Sequence, residues 1–353
     1  MRIATSKAKA TLAVNNHSTS DLGKHQIQFS SQVYNPISND SIILDLITSD
    51  KPKRYQLVTA GYLKRLNSYG TSASILFSHS KDDPKLTDKS DDNKTIIFKG
   101  RLDQYAVLNN DYSVKLELAA ESRDTERHFD GKKTTDYDYV MGSLGAKIKI
   151  VDSLGVENWF FPYFNWTLNK VSYSKDSKEP RNFDKDFNFF IVDFYRDQPL
   201  PRKFSLFLKA SYQNTNKLLP SEHRYSINTR GYESGLVSAD QGISGKLEMR
   251  YTTGFESPKI KEFIDLAQFF AFYDVSHFID HNKTADRKEH KDAVYFDEST
   301  LSGAGIGMRL FLPYEFYAEA VGEFPLMKSI KVNGQKHTNK PIFRFLVSKE
   351  FKW

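Results

Sequence analysis

The chain is organised by alternation. In YSVKLELAAES, Val114, Leu116, Leu118 and Ala120 fall on one face of an extended strand, and Lys115, Glu117 and Glu121 on the other, because strand side chains alternate with period two. GAKIKIV sets Ala146, Ile148 and Ile150 against Lys147 and Lys149. KFSLFLKASY groups Phe204, Leu206, Leu208, Ala210 and Tyr212 against Lys203, Lys209 and Ser211. GISGKLEMRY groups Ile243, Leu247, Met249 and Tyr251 against Lys246, Glu248 and Arg250. The last segment, FRFLVSKEFKW, sets Phe343, Phe345, Val347, Phe351 and Trp353 against Arg344, Ser348, Glu350 and Lys352, with Lys349 as the exception.

About sixteen such segments follow one another, most of them roughly 8–12 residues long, near the length a tilted strand needs to cross a bilayer. The pattern predicts strands at 8–15, 24–34, 41–49, 54–62, 71–80, 95–106, 112–122, 143–152, 158–172, 186–196, 202–213, 242–252, 266–278, 299–312, 315–324 and 341–353. Connections after odd-numbered segments are long, at 81–94, 123–142, 173–185, 214–241, 279–298 and 325–340. Those after even-numbered segments are mostly short: NPISND, LNND, DSLGVEN, RDQPLPR and LPYE. Sorting of loop length by parity is the layout of an outer-membrane barrel, with short turns on the periplasmic side. Closure also removes the exposed edges of such a sheet. The expected fold is all-β: a transmembrane antiparallel β-barrel of about sixteen strands, occupying residues 1–353. A soluble propeller or adhesin is the competing all-β reading, but no four-strand blade repeat is visible.

Composition agrees. Of 353 residues, 39% are apolar, low for a soluble core of this size, yet 14% are aromatic, with 27 Phe and 19 Tyr. Such a chain spends aromatics on an outward surface. No apolar run is long enough for a transmembrane helix. The opening MRIATSKAKATLAV has neither a signal core nor a cleavage site. Cysteine is absent, which excludes disulfides and thiolate metal sites. The net charge of +6 does not cluster; Lys and Asp interleave, as in SKDDPKLTDKSDDNK at 80–94, so no nucleic-acid partner is expected.

Candidate chemistry is sparse. SGAGIGMRL carries Gly303, Gly305 and Gly307 at i, i+2, i+4, which is one face of a strand rather than a phosphate loop. HNKTADRKEH, with His281 and His290, has no metal-ligand spacing. No nucleophile elbow occurs. No catalytic residue, metal or cofactor is predicted. Two stretches stand apart. NTRGYESGLVSADQG (228–242) is a loop by composition with an Arg-Gly-Tyr inside it. AFYDVSHF (271–278) puts Phe272, Asp274 and Ser276 on the lumen face of a strand, where a carboxylate needs water or a partner.

Together these stretches resemble the two-partner secretion transporters, the TpsB family of haemolysin secretion/activation proteins within the BamA-like superfamily. The opening LAVNNHSTSDLGKHQIQFSSQVYNPISND is similar to that family's first barrel segment. TRGYESGLVSADQG resembles its lumen-loop motif, at Arg230, Gly231 and Tyr232, followed by the acidic–Gly element Asp240 and Gly242. AFYDVS resembles its FxDxG strand motif, at Phe272, Asp274 and Ser276. The aromatic end, Phe351 and Trp353, resembles its assembly signal. Thr229 and Ser276 depart from the pattern, standing where an apolar residue and a Gly are usual. The family's plug helix and two periplasmic polypeptide-transport-associated domains have no counterpart here, so a truncated gene, a fragment or a trimmed chain is expected.

The resemblance implies a lumen-inserted loop whose Arg230 reaches Asp274. Gly231 would make the turn at the tip, the glycine face at 303, 305 and 307 would leave room, and Tyr232 would pack near Phe272. It implies a monomeric pore in the bacterial outer membrane exporting a large unfolded exoprotein, a haemolysin or adhesin. Its other partners would be outer-membrane lipid and the barrel assembly machinery. The alternatives are a BamA-like insertase, which needs a seam that opens, and a passive porin, which needs no Arg-Gly-Tyr loop. A soluble β-structured interaction protein would need no aromatic terminus.

Overall fold

The computed structural model describes residues 7–353 except 19–21, 38, 87–88, 130–131, 174–182, 227–228, 234–236, 256, 258–261, 280–299, 328 and 333–334. Sixteen long antiparallel strands form one closed sheet. They are β1 (Ala8–Asn15), β2 (Gln26–Tyr34), β3 (Asp40–Ser49), β4 (Tyr55–Arg65), β5 (Ser72–Asp82), β6 (Lys89–Leu108), β7 (Tyr112–Phe129) and β8 (Lys132–Val151). The second half comprises β9 (Glu157–Thr167), β10 (Asn188–Pro199), β11 (Phe204–Asn214), β12 (Gln241–Thr253), β13 (Leu266–Ile279), β14 (Thr300–Leu312), β15 (Phe316–Pro325) and β16 (Ile342–Lys352). Each pairs with its sequence neighbours, and β1 pairs with β16 from Lys9↔Lys352 to Asn15↔Leu346. The terminal Trp353 completes the seam, exchanging backbone bonds with Ala8 at 3.0 and 3.2 Å. Among the described residues no helix is long and apolar enough to cross a membrane; the crossing is made by strands.

The alternation read from the sequence is an inside-out core. Leu12, Ile75, Phe98, Leu118, Leu144, Ile306 and Phe343 stand exposed on the outer wall, while Asp103, Glu117, Glu121, Glu248, Asp274 and Glu323 are buried inside. Buried carboxylates are costly unless paired, and the lumen pairs them. Lys115 lies 2.9 Å from Asp103, Lys147 2.9 Å from Glu117 and Arg123 3.1 Å from Glu121. A closed sheet with an apolar exterior and a charged interior is built for a bilayer, and the barrel is an outer-membrane protein.

Two of the long connections prove to be largely strand. Segments 81–94 and 123–142 read as loops because their apolar alternation stops, yet β6 begins at Lys89, β7 runs to Phe129 and β8 starts at Lys132. Backbone pairing does not need an apolar face. It continues here on polar cross-strand contacts such as Lys133–Glu126 at 3.1 Å and Lys81–Asp92 at 3.5 Å. On the opposite side, the 254–265 connection between β12 and β13 is the long exception among short turns. The histidines at 281 and 290 lie outside the described residues.

Candidate functional site

The connection from β11 to β12 folds back into the barrel. Two short paired segments, Tyr225–Ser226 and Ser238–Ala239, form the stem of a hairpin. The loop carries enough apolar side chains to make a small core of its own. Tyr225, Tyr232, Val237 and Ala239 pack on the wall residues Phe278 and Leu301 and on Ile330. Polar contacts fix the descending leg: Leu219 N donates to Asp240 Oδ1 at 2.9 Å, and Gln213 Nε2 donates to the Asp240 carbonyl at 3.1 Å. Arg224 stands 3.6 Å from the Asp240 carboxylate. Gly242, the second residue of β12, lies flat against the Tyr225 ring; a Cβ there would sit 2.2 Å from it.

At the tip, Arg230 grips Asp274 of β13. Its Nε and Nη2 donate to the two carboxylate oxygens at 2.8 and 2.9 Å, and its own backbone N–H donates at 3.1 Å. The third guanidinium nitrogen, Nη1, donates to Glu248 of β12 at 2.9 Å. The guanidinium plane lies over the Phe272 ring, 3.6 Å from its centroid. A planar fork with five donors can serve two carboxylates and stack on a ring at once, which an ammonium cannot. Asp274 is 1% exposed, so the carboxylate is cut off from water, where charge-assisted bonds are strongest.

Glycines permit the approach. Gly231 has φ of +96°, and a Cβ on it would meet the Pro325 nitrogen at 2.8 Å. Its N–H donates to Glu323 of β15 at 2.9 Å. Gly303 of β14 touches the Arg230 carbonyl oxygen, which a Cβ would approach to 1.9 Å. Gly305 and Gly307 make room for the Phe272 and Phe270 rings instead. Thus Arg230, Gly231, Phe272 and Asp274 converge, and Ser276 joins them through a bond to Thr229.

Tyr232 does not pack near Phe272. Its hydroxyl donates to the Ser302 carbonyl at 2.8 Å, and its ring sits with Tyr225 and Phe278. The chain turns at Gly231, so consecutive side chains point apart, and the ring goes to the loop's apolar core while the guanidinium takes the Phe272 face. Asp240 and Gly242 brace the other leg. Phe351 and Trp353 are exposed at the seam end of β16, far from the loop in register.

Five members of this network, Glu248, Arg250, Arg309, Glu323 and Arg344, belong to no motif seen in the sequence. Glu248 also accepts from Arg250 Nε and Arg309 Nη1, both at 2.6 Å. Glu323 accepts from Arg344 Nε at 3.1 Å, and Arg344 Nη2 donates to the Tyr232 carbonyl at 3.1 Å. Alternation already placed Glu248 and Arg344 on the inner face; which inner residues meet was not written in it.

A second cluster holds the loop on the opposite wall. Glu222 accepts from the hydroxyls of Tyr137 and Tyr139, at 3.0 and 2.8 Å. His223 Nε2 lies 2.8 Å from the Tyr139 hydroxyl, among Phe187 and Phe189. Burial pushes the His223 imidazole down to about 4. Among the described residues, no group of His, Asp and Glu could hold a metal ion.

No protein-family model matches the chain, and a sequence search of curated proteins finds no match either. Solved structures do match. The chain aligns with CdiB from Escherichia coli at a TM-score of 0.82 and 14% identity, over 99% of this chain and 64% of CdiB. CdiB from Acinetobacter baumannii gives 0.72 and 13%, over 98% and 60%. BamA from Haemophilus ducreyi, lacking POTRA domains 1–3, gives 0.67 and 14%, over 98% and 70%. The chain therefore spans under two thirds of either CdiB. The fold is that of a sixteen-stranded outer-membrane barrel of the type CdiB and BamA share.

Proposed function

We propose that this chain is the pore of a two-partner secretion transporter, passing a large unfolded exoprotein, a haemolysin or adhesin, across the outer membrane. The observation that carries the reading is the loop tip pinned inside the lumen by Arg230 on Asp274 and Glu248. A passive porin gains nothing from a polypeptide clasped across its channel. A translocator needs such a stop to stay closed at rest and to yield to its cargo. Likeness to CdiB, a TpsB transporter, supports the same class. The terminal aromatics Phe351 and Trp353 serve recognition by the assembly machinery in this reading.

The test is export of a candidate exoprotein co-expressed with the barrel, with Arg230→Ala and Arg230→Lys variants. Both should assemble heat-modifiable barrels yet lose most export, because Lys cannot serve both carboxylates. Unchanged export by Arg230→Ala overturns the reading. The insertase alternative is separated at the seam, where Ala13 and Ser348 are direct partners. The chain has no cysteine, so Ala13→Cys with Ser348→Cys gives a single disulfide. Export that survives oxidation supports the transporter; a lock that abolishes function points to a seam that must open.

A further inference from the structure

Two cavities of about 360 and 450 Å³ lie against the inner wall of β9–β11 and share Trp159 and Tyr195. They begin below the Arg230 clasp, where Phe207 is the cross-strand partner of Glu248, and reach the short turns at 152–156 and 200–203, on the periplasmic side. Their wall is aromatic. Trp159, Phe161 and Tyr163 occupy successive inward positions of β9, and Tyr195 stands across from Trp159 on β10. The Trp159 and Phe161 rings are nearly parallel, with centroids 6.1 Å apart and planes at 8°. Tyr195 meets Phe161 edge-on at 5.5 Å, and Lys209 caps its other side at 4.9 Å.

Most charges around this wall are spent on one another; Asp193, which lines the larger cavity, and Lys209, which lies over the Tyr195 ring, are opposite in sign. Lys149 bonds Glu157, Arg196 bonds Asp152, Lys147 pairs with Glu117, and Arg250 bonds Asp197. What remains for a ligand is a row of rings with balanced charge, which fits uncharged side chains rather than an ion. The spacing narrows the choice further. Rings at i, i+2 and i+4 of one strand repeat about every 6.7 Å, and so do alternate side chains of any extended polypeptide. A segment running along β9 would place every second side chain between successive rings, without stretching or coiling.

The geometry points to a binding strip for extended, uncharged polypeptide on the inner face of β9 and β10, at the periplasmic mouth of the barrel. It rests on the translocator reading and deepens it: the strip is where an unfolded cargo is first held before it meets the pinned loop. Aromatic surface suits that task, since it holds many apolar side chains weakly and without sequence demands.

The strip can be tested without export. The chain has three tryptophans, so Trp166→Phe with Trp353→Phe leaves Trp159 as the sole indole in the micelle-refolded barrel. The probes are a short peptide alternating Leu and Ser, a Gly–Ser peptide of equal length, and maltohexaose. Saturable change in Trp159 emission with the Leu–Ser peptide, and much weaker response to Gly–Ser, is expected. Adding Phe161→Ser and Tyr195→Ser should weaken Leu–Ser binding about tenfold, equivalent to about 1.4 kcal/mol, with heat-modifiable mobility retained. Equal binding of both peptides, or no loss in the ring variant, overturns the strip. Response to maltohexaose alone overturns it too, in favour of a glycan site. Export scored on the same ring variant separates the two proposals: a barrel that exports but binds no Leu–Ser peptide refutes the strip and leaves the transporter standing.

Discussion

Thr229 Oγ1 and Ser276 Oγ are hydrogen-bonded at 2.5 Å, both buried, one on the loop and one on β13. These are the two positions at which the chain departs from the motifs it resembles, where an apolar residue and a Gly are usual. The departures are partners: a hydroxyl on the loop meets a hydroxyl on β13. Thr229→Val should loosen the loop by about 1–3 kcal/mol, because it strands the buried Ser276 hydroxyl. The double variant Thr229→Val with Ser276→Gly should lie closer to the parent than Thr229→Val alone. Protease cleavage within 214–241 on intact barrels measures this; simple additivity of the two changes would refute the coupling.

Gly303→Ala should expel the loop tip while leaving the barrel assembled. The new Cβ meets backbone oxygen, not a movable side chain, at 1.9 Å. Gly100 is the control, since a Cβ there meets nothing within 4 Å. Single-channel recordings should show larger or noisier conductance for Gly303→Ala and parental behaviour for Gly100→Ala. Parental traces from both would mean the tip does not occlude the pore.

The second anchor should weaken in acid. His223 is held at about 4 against an unfolded value of 6.5, chiefly by burial. The released loop therefore binds a proton more readily than the docked one between those values. Docking is fully supported above pH 6.5 and loses support as pH falls toward 4, and stability rises with pH across that window. Loop proteolysis should speed up from pH 7 to pH 5 in the parent. In His223→Phe that acceleration should shrink; an unchanged pH profile would assign it to other groups.

Val347→Arg should cut the yield of folded barrel, while Ser348→Arg should be tolerated. Val347 faces outward, 46% exposed on the lipid side, and its neighbour Ser348 faces the lumen. A cation on a mid-bilayer outer site costs about 2–4 kcal/mol. The two sites are adjacent, so reversed yields would mean the β16 register is off by one residue, which swaps every face.

Alternation alone determined most of the barrel. A strand side chain can point only two ways, so the period-two pattern gave the number of strands, their inner and outer faces and their bounds to within a few residues. It failed where that asymmetry vanishes. Past the apolar band the outer faces of β6, β7 and β8 turn largely polar, and β8 puts Tyr137, Tyr139 and Met141 inward instead, so the outward apolar signal is lost although backbone pairing continues. At the site, the sequence put Asp274, Glu248 and Arg344 inside and marked Arg230, Gly231 and the Gly303 face as unusual. Only the closed barrel decided who meets whom. Glu248 gathers three arginines because Arg250 shares its strand, Arg309 stands two strands along the same wall, and the folded-in loop carries Arg230 to it. Tyr232 turns away from Phe272 because the Gly231 turn sends it to the loop's own core. Such choices depend on distances between strands that a linear pattern does not contain.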